Sequence, residues 1–256
     1  MGIFIKNPEQ IEKMRVASRI VEKTHLLLAK HIRPGIATRE LNALADDFIR
    51  SQGAVPSFLG YEMTGDSFPA SICCSINEEV IHGIPGLRRL KSGDIVSIDI
   101  GAQKDKFHGD AARTYAVGDL SPEKALLMDV TKQSFFSGMP YARHGRYLHE
   151  MSAAIEAYVK PYGFSVVRDF CGHGIGRKLH EEPSIPHFKQ ANRGPRLQKG
   201  MVLAIEPMVV AGKANVRILD DNWTTVTKDG KPAAHYENTV VITDGAPEIL
   251  TMNEGA

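Results

Sequence analysis

Four carboxylates stand where an apolar strand pattern calls for a hydrophobic residue: Asp99 in IVSIDIG, Asp110 in FHGDAAR, Glu206 in MVLAIEP and Glu237 in AHYENTVV. Burial disfavours the charged form of an acid, so each needs a compensating partner. Taking Gln103-Lys104-Asp105-Lys106 as a turn centred on Lys104-Asp105 predicts that Asp99 lies directly opposite Asp110, two like charges on one face. Three explanations stay open for that pair alone. It could face solvent or be turned aside by a bulge at Gly109, it could share a proton, or it could bind a divalent cation. Glu206, Glu237 and His173, the last in the glycine-rich CGHGIGRKLHEEP, favour the cation. Four carboxylates and one imidazole carry too much negative charge for a closed structural zinc site. They suit two divalent ions about 3.5–4 Å apart, the arrangement of a hydrolase.

The elements that must position these groups follow from periodicity. Asn7-Pro8 starts a helix whose apolar face runs from Ile11 to Leu28 and stops at Arg33-Pro34-Gly35. A second starts at Thr38 and ends before Gly53, a third runs from Ser121-Pro122 toward Gly138, and YLHEMSAAIEAYVKPYG gives a fourth ending at Pro161. Strand patterns cover Ser71 to Ile76, Ile95 to Ile100, His108 to Val117, Phe164 to Phe170, Met201 to Val210, Asn215 to Leu219 and Tyr236 to Thr243. Without strict β-α-β alternation, this order predicts an α+β fold, antiparallel sheet with helices packed on it. The chain also echoes itself. LKSGDIVSID (Leu90 to Asp99) aligns on LQKGMVLAIE (Leu197 to Glu206), and HGIP (His82 to Pro85) and HEEP (His180 to Pro183) precede the two copies. Two such halves, roughly 1–120 and 121–256 of a single catalytic domain, would bring their acids together about a pseudo-two-fold axis.

Composition narrows the function classes. The 256 residues are 43% hydrophobic and 24% charged, as in ordinary globular proteins, and a net charge of +1 offers no field to gather DNA. No apolar run reaches the roughly 20 residues of a membrane span, and MGIFIKNPEQ lacks the apolar core of a secretory signal, so a cytoplasmic protein is expected. Cys73, Cys74 and Cys171 show neither disulfide nor zinc-ribbon spacing. No heptad pattern appears, and a monomer is the expectation.

Two aspartates eleven residues apart, then GHGIGRKLHEEP, AIEPMV and HYENTVVIT in that order, resemble the type I methionine aminopeptidases, in the bacterial form without an N-terminal zinc-finger extension. The similarity runs from the Asn7 helix to Leu250. It implies the pita-bread fold, with internal pseudo-two-fold symmetry, and metal-dependent removal of the initiator methionine from nascent chains and peptides near the ribosome, preferring a small second residue. It further implies two divalent ions per chain, drawn from Mn, Fe, Co or Zn. Asp99 would serve one metal, His173 and Glu206 the other, and Asp110 and Glu237 both. His82 and His180 would contact substrate at the scissile bond, with Glu206 as proton shuttle. The methionine pocket would draw on Tyr61, Cys73, His82 and Trp223. Leu179 replaces the aromatic residue of better-known members, and the segment from Tyr61 to Cys74 is longer than the family loop, so both alter the pocket lip. The resemblance leaves two rivals, a proline-specific aminopeptidase or dipeptidase on the same fold and a non-catalytic peptide-binding member. The short connection between His173 and Glu206 lacks the helical insertion of the type II enzymes.

Overall fold

Helix α1 (Pro8–Ala29) begins where the sequence signals it: the Asn7 side chain accepts the Gln10 N–H at 2.9 Å, and the Gln10 side chain accepts the Asn7 N–H at 3.0 Å. In the computed structural model, which describes residues 2–63 and 65–252, it is followed by α2 (Thr38–Ser51). Both helices bury one apolar face, including Val21, Leu28, Leu41 and Ile49, against the first antiparallel sheet. That sheet is built from β1 (Ile72–Ile76), β2 (Asp94–Lys104) and β3 (Phe107–Val117), with a short edge at Val55–Pro56. Gly109 pairs with Ala102 without a bulge. A Cβ there would come within 2.7 Å of the Ser18 backbone, so its lack of a side chain lets α1 lie on the hairpin.

The second half follows a similar plan. Helices α3 (Pro122–Gly138) and α4 (Leu148–Val159) bury Phe135, Met151 and Ile155 against apolar residues of the second sheet. That sheet contains β4 (Gly172–Gly174), the strand Glu181–Ile185 and β5 (Val202–Ile205). The chain then forms β6 (Met208–Val210) and β7 (Ala233–His235), which pair with each other, and β8 (Asn238–Val241), which pairs with β5. Local features recur at matched places. Gly93 and Gly200, aligned in the repeat, both take left-handed backbone, at φ +90° and +87°. Glu40 and Glu150 each accept a backbone N–H three residues back, from Ala37 at 2.8 Å and Tyr147 at 2.7 Å. Ala37 bridges Arg89, and Tyr147 bridges Arg196.

Three expectations about elements are corrected. The hairpin turns at Asp105-Lys106, both at positive φ, so Asp99 faces Ala112 and Asp110 faces Gly101. This two-residue displacement keeps both acids on one face, as diagonal rather than opposed neighbours. The predicted strand from Met201 to Val210 is two strands separated at Glu206-Pro207, because proline has no N–H for a ladder. Of the stretch from Phe164 to Phe170 only Ser165–Val166 pairs, with Val209 and Val210 as its partners. The long segment after Tyr61 carries a small hairpin of Glu62–Met63 with Asp66–Ser67, and Thr64 lies outside the described residues.

The halves are joined at the β3 and β8 strands. The Thr239 hydroxyl accepts the Asp110 N–H at 2.9 Å and donates to the Asp110 carbonyl at 2.8 Å, while the Glu237 N–H donates to the Ala112 carbonyl at 2.9 Å. A shared core of Met14, Phe68, Cys73, Ile175, Val202 and Trp223 lies at this junction.

Candidate metal centre

Each predicted ligand sits on an element whose local chemistry delivers it to the junction. Asp99 lies within β2 beside Cys73 of β1, and Asp110 lies within β3. His173 is the middle residue of β4, Glu206 leaves β5 at the proline break, and Glu237 falls between β7 and β8. Asp110, His173 and Glu237 are buried, and Asp99 and Glu206 are partly so. His173 Nε2 is 4.0 Å from Asp110 Oδ2 and 3.6 Å from Glu206 Oε1. Its Nδ1 is 2.9 Å from the Gly174 carbonyl, to which it donates, so the proton sits on Nδ1 and the Nε2 lone pair faces the acids.

Several oxygens of these acids lack a partner that would make their burial tolerable. Among the described residues, Asp99 Oδ1, Asp110 Oδ1 and Glu237 Oε1 are buried without a hydrogen bond. Burial, with Glu206 nearby, pushes the Asp99 carboxyl up to about 7. Burial and then the charge of Asp99 raise Asp110 well above the usual carboxylate range; burial and then Asp110 do the same to Glu237, and burial raises Glu206. Burial also lowers His173 to about 3, leaving it neutral. Orphaned hard oxygens with a neutral imidazole fit a divalent cation. Two overlapping groups have ligand atoms all within 4.8 Å of one another: Asp110, His173 and Glu237, and Glu206, His235 and Glu237.

Every predicted substrate-contacting residue lines the same cavity, about 170 Å³ in volume: Tyr61, Cys73, His82, Leu179, His180 and Trp223, together with the four carboxylates and the imidazole described above. Trp223 meets Phe68 edge to face at 5.1 Å between ring centroids, and His82 lies 6.1 Å from Trp223. His82 holds a positive φ of 59°, uncommon for a residue with a side chain. His180 sits at the exposed mouth with its ring 4.2 Å from that of His173 and its Nδ1 hydrogen-bonded to the Tyr61 hydroxyl. Burial, with Asp99 beside it, pushes the Cys73 thiol well up, so Cys73 acts as an apolar wall rather than a thiolate.

Sequence reasoning passed over several neighbours. Phe58, Phe68, Ile81, Phe170 and Cys171 also line the cavity, and nothing but apolar character marked most of them. His187 Nε2 accepts the Glu206 N–H at 3.0 Å. His235 reaches Glu206 from the other side, its Nε2 3.5 Å from Oε2. Its position two residues before Glu237 was a usable signal, because alternate residues of an extended chain share a face.

Paired antiparallel sheets with acids converging at their junction define a metallopeptidase of the pita-bread class. Comparison with known proteins agrees: the model of metallopeptidase family M24 matches residues 12–244. Methionine aminopeptidase 1 of Bacillus subtilis is 53% identical over 249 residues, covering 97% of this chain and 99% of the relative. The Escherichia coli methionine aminopeptidase is 44% identical over 256 residues, covering 99% of this chain and 96% of that one. The crystal structure of methionine aminopeptidase from Thermotoga maritima superposes with a TM-score of 0.94 at 40% identity, covering 98% of this chain and 100% of that chain. The chain belongs to metallopeptidase family M24, among its methionine aminopeptidases. A prolidase from Pyrococcus furiosus shares the fold at a TM-score of 0.78 and 24% identity, and this chain covers 66% of its length. No helix among the described residues is long and apolar enough to cross a membrane.

Proposed function

We propose that this chain is a methionyl aminopeptidase that hydrolyses the first peptide bond of nascent proteins and peptides beginning with methionine, preferring a small second residue. The observation that carries the reading is the cavity in which orphaned carboxylate oxygens adjoin an apolar wall of Phe68, Cys73, Leu179 and Trp223. Asp99, Asp110, His173, Glu206 and Glu237 would hold two divalent cations, Mn, Fe, Co or Zn, with Asp110 and Glu237 shared. Such ions supply Lewis acidity toward water and the peptide carbonyl.

The chain's own groups do the rest. The apolar wall takes the methionine side chain, whose thioether adapts to aromatic neighbours. Glu206 accepts a proton from the attacking water and passes it to the leaving amine. His180 donates a hydrogen bond to the carbonyl oxygen as negative charge develops there, and His82 assists at the leaving nitrogen. We read residues 1–256 as one catalytic domain of two related halves, roughly 1–120 and 121–256, and the matched glycines and helix caps support this. We further read the protein as a cytoplasmic monomer acting near the ribosome, where initiator methionine first becomes accessible, with no DNA or membrane partner.

The test uses matched Met-Gly and Gly-Pro peptides, assayed after chelation and after restoring Mn²⁺, Co²⁺ or Fe²⁺. Metal-dependent release of methionine is expected. Its absence would defeat the reading, and preference for the proline peptide would transfer the chain to the proline-specific group.

A further inference from the structure

His180 has to aim its ring at a peptide carbonyl, yet it stands on an exposed turn between β4 and the strand Glu181–Ile185. A surface turn needs ties of its own to hold a ring still. Glu181, the next residue, supplies them. Its Oε1 accepts the Lys178 N–H at 3.2 Å, so one carboxylate spans the stretch that carries Leu179 and His180. Its Oε2 accepts from Lys6 Nζ at 2.7 Å.

That ion pair is dry. The side chains of Lys6 and Glu181 are 5% and 6% exposed, whereas the cation of every other Lys or Arg pair among the described residues is at least 24% exposed. Apolar residues of the same volume often stabilise a fold as well as a buried pair does, so what the charges add here is a fixed geometry. The surroundings are built for it. The Lys6 N–H donates to the Gly200 carbonyl at 2.8 Å, and the His108 N–H of β3 donates to the Gly176 carbonyl at 2.9 Å, which ties down the start of the turn. A Cβ at Gly176 would lie 2.6 Å from Glu181 Oε1 and 2.7 Å from Lys6 Cε, so only glycine leaves room for the pair.

We propose that Lys6 is a positioning residue for His180: through Glu181 it fixes the turn from Lys178 to Glu181 and so holds the His180 ring against the scissile carbonyl. This rests on the methionyl aminopeptidase reading and deepens it. A misplacement of about 1 Å at a reacting group can cost about 100-fold in rate. Neither Lys6 nor Glu181 lines the cavity, so the methionine wall and the cation ligands stay as they are when the pair is broken.

The test measures kcat and KM on a Met-Gly peptide, with Co²⁺ affinity by calorimetry, for the full-length wild type, Lys6→Met, His180→Ala and the double variant. Lys6→Met should lower kcat by about 10–100-fold, with KM and Co²⁺ affinity little changed. In the His180→Ala background the same substitution should lower kcat no further, because the two act as one unit. An equal fall in both backgrounds overturns the proposal, as does wild-type kcat in Lys6→Met. Glu181→Gln breaks the pair from the other side and should repeat the pattern, so the test does not depend on one variant folding. Failure of both variants to fold, or Co²⁺ affinity lost together with kcat, would make the pair a support of the whole fold and overturn its assignment to His180. Absence of methionine release by the metal-loaded wild type would defeat the aminopeptidase reading itself, and this inference with it.

Discussion

In the proposed mechanism Glu206 stands where proton transfer and cation binding meet. Its backbone is fixed by His187, and its two carboxylate oxygens lie 3.6 Å from His173 and 3.5 Å from His235. Glu206→Gln preserves the volume and removes the basic oxygen, so turnover of a Met-Gly peptide should fall by about 10²–10⁴-fold. Methionine release measured beside an unchanged circular dichroism spectrum checks this, and wild-type turnover would remove Glu206 from the mechanism. Tyr61 acts one step further out. A Tyr61 hydroxyl that donates to His180 Nδ1 would place the His180 proton on Nε2, the nitrogen needed to donate to a carbonyl. Tyr61→Phe should therefore lower kcat about tenfold, roughly 1.4 kcal/mol, with a smaller change in KM; an unchanged kcat would detach Tyr61 from His180. The acids of this site were legible because an Asp or Glu inside an apolar strand is anomalous by itself. His187 was not, since a single histidine in such a stretch reads as an ordinary core residue, and His235 was marked only by its spacing from Glu237.

Elements were legible where capping and periodicity agree, as at Asn7-Pro8 and Ser121-Pro122, and less so where the backbone takes an unfavoured conformation. The hairpin carries no Asn-Gly or Asp-Gly pair to announce its centre, and Asp105-Lys106 instead adopts φ of 50° and 67°. The predicted register missed by two residues yet put both aspartates on the correct face, because side-chain direction repeats every second residue. The break after β5 was likewise written in Pro207, although the apolar run around it concealed it. Left-handed backbone is costly for lysine, so Lys106→Gly should stabilise the protein by up to about 1 kcal/mol. The expected outcome is a higher denaturant midpoint with unchanged peptidase turnover; a lower midpoint would mean that the Lys106 side chain contributes more than its backbone strain costs.

At the scale of the whole molecule, the first half supplies Asp99 and Asp110, the second supplies His173, Glu206 and Glu237, and the bonds between β3 and β8 hold them together. The family motifs made this convergence readable, whereas the cross-sheet bonds of Thr239 depend on three-dimensional placement that no local pattern encodes. Like charges gathered at the seam make stability depend on pH when cations are removed. The folded-state pKa of Asp99 is raised to about 7, and those of Asp110, Glu206 and Glu237 are also raised. The folded protein therefore binds more protons at these groups than the unfolded chain, and their contribution weakens as pH rises through the folded pKa values. The histidines oppose this at lower pH. His173 and His187 are lowered to about 3 and His235 to about 4, so the unfolded chain binds their protons preferentially and stability rises with pH until about 6.5. Above that point the unfolded histidines progressively lose their remaining protons and the carboxylates come to dominate. The melting temperature of chelated protein should then fall between about pH 6.5 and 8, while saturating Mn²⁺, which binds the ionised carboxylates, should offset the fall. Differential scanning fluorimetry in matched buffers would show the gap between loaded and chelated protein widening with pH. Parallel curves would mean that the seam carries its acids without needing a cation, against the functional reading of the site.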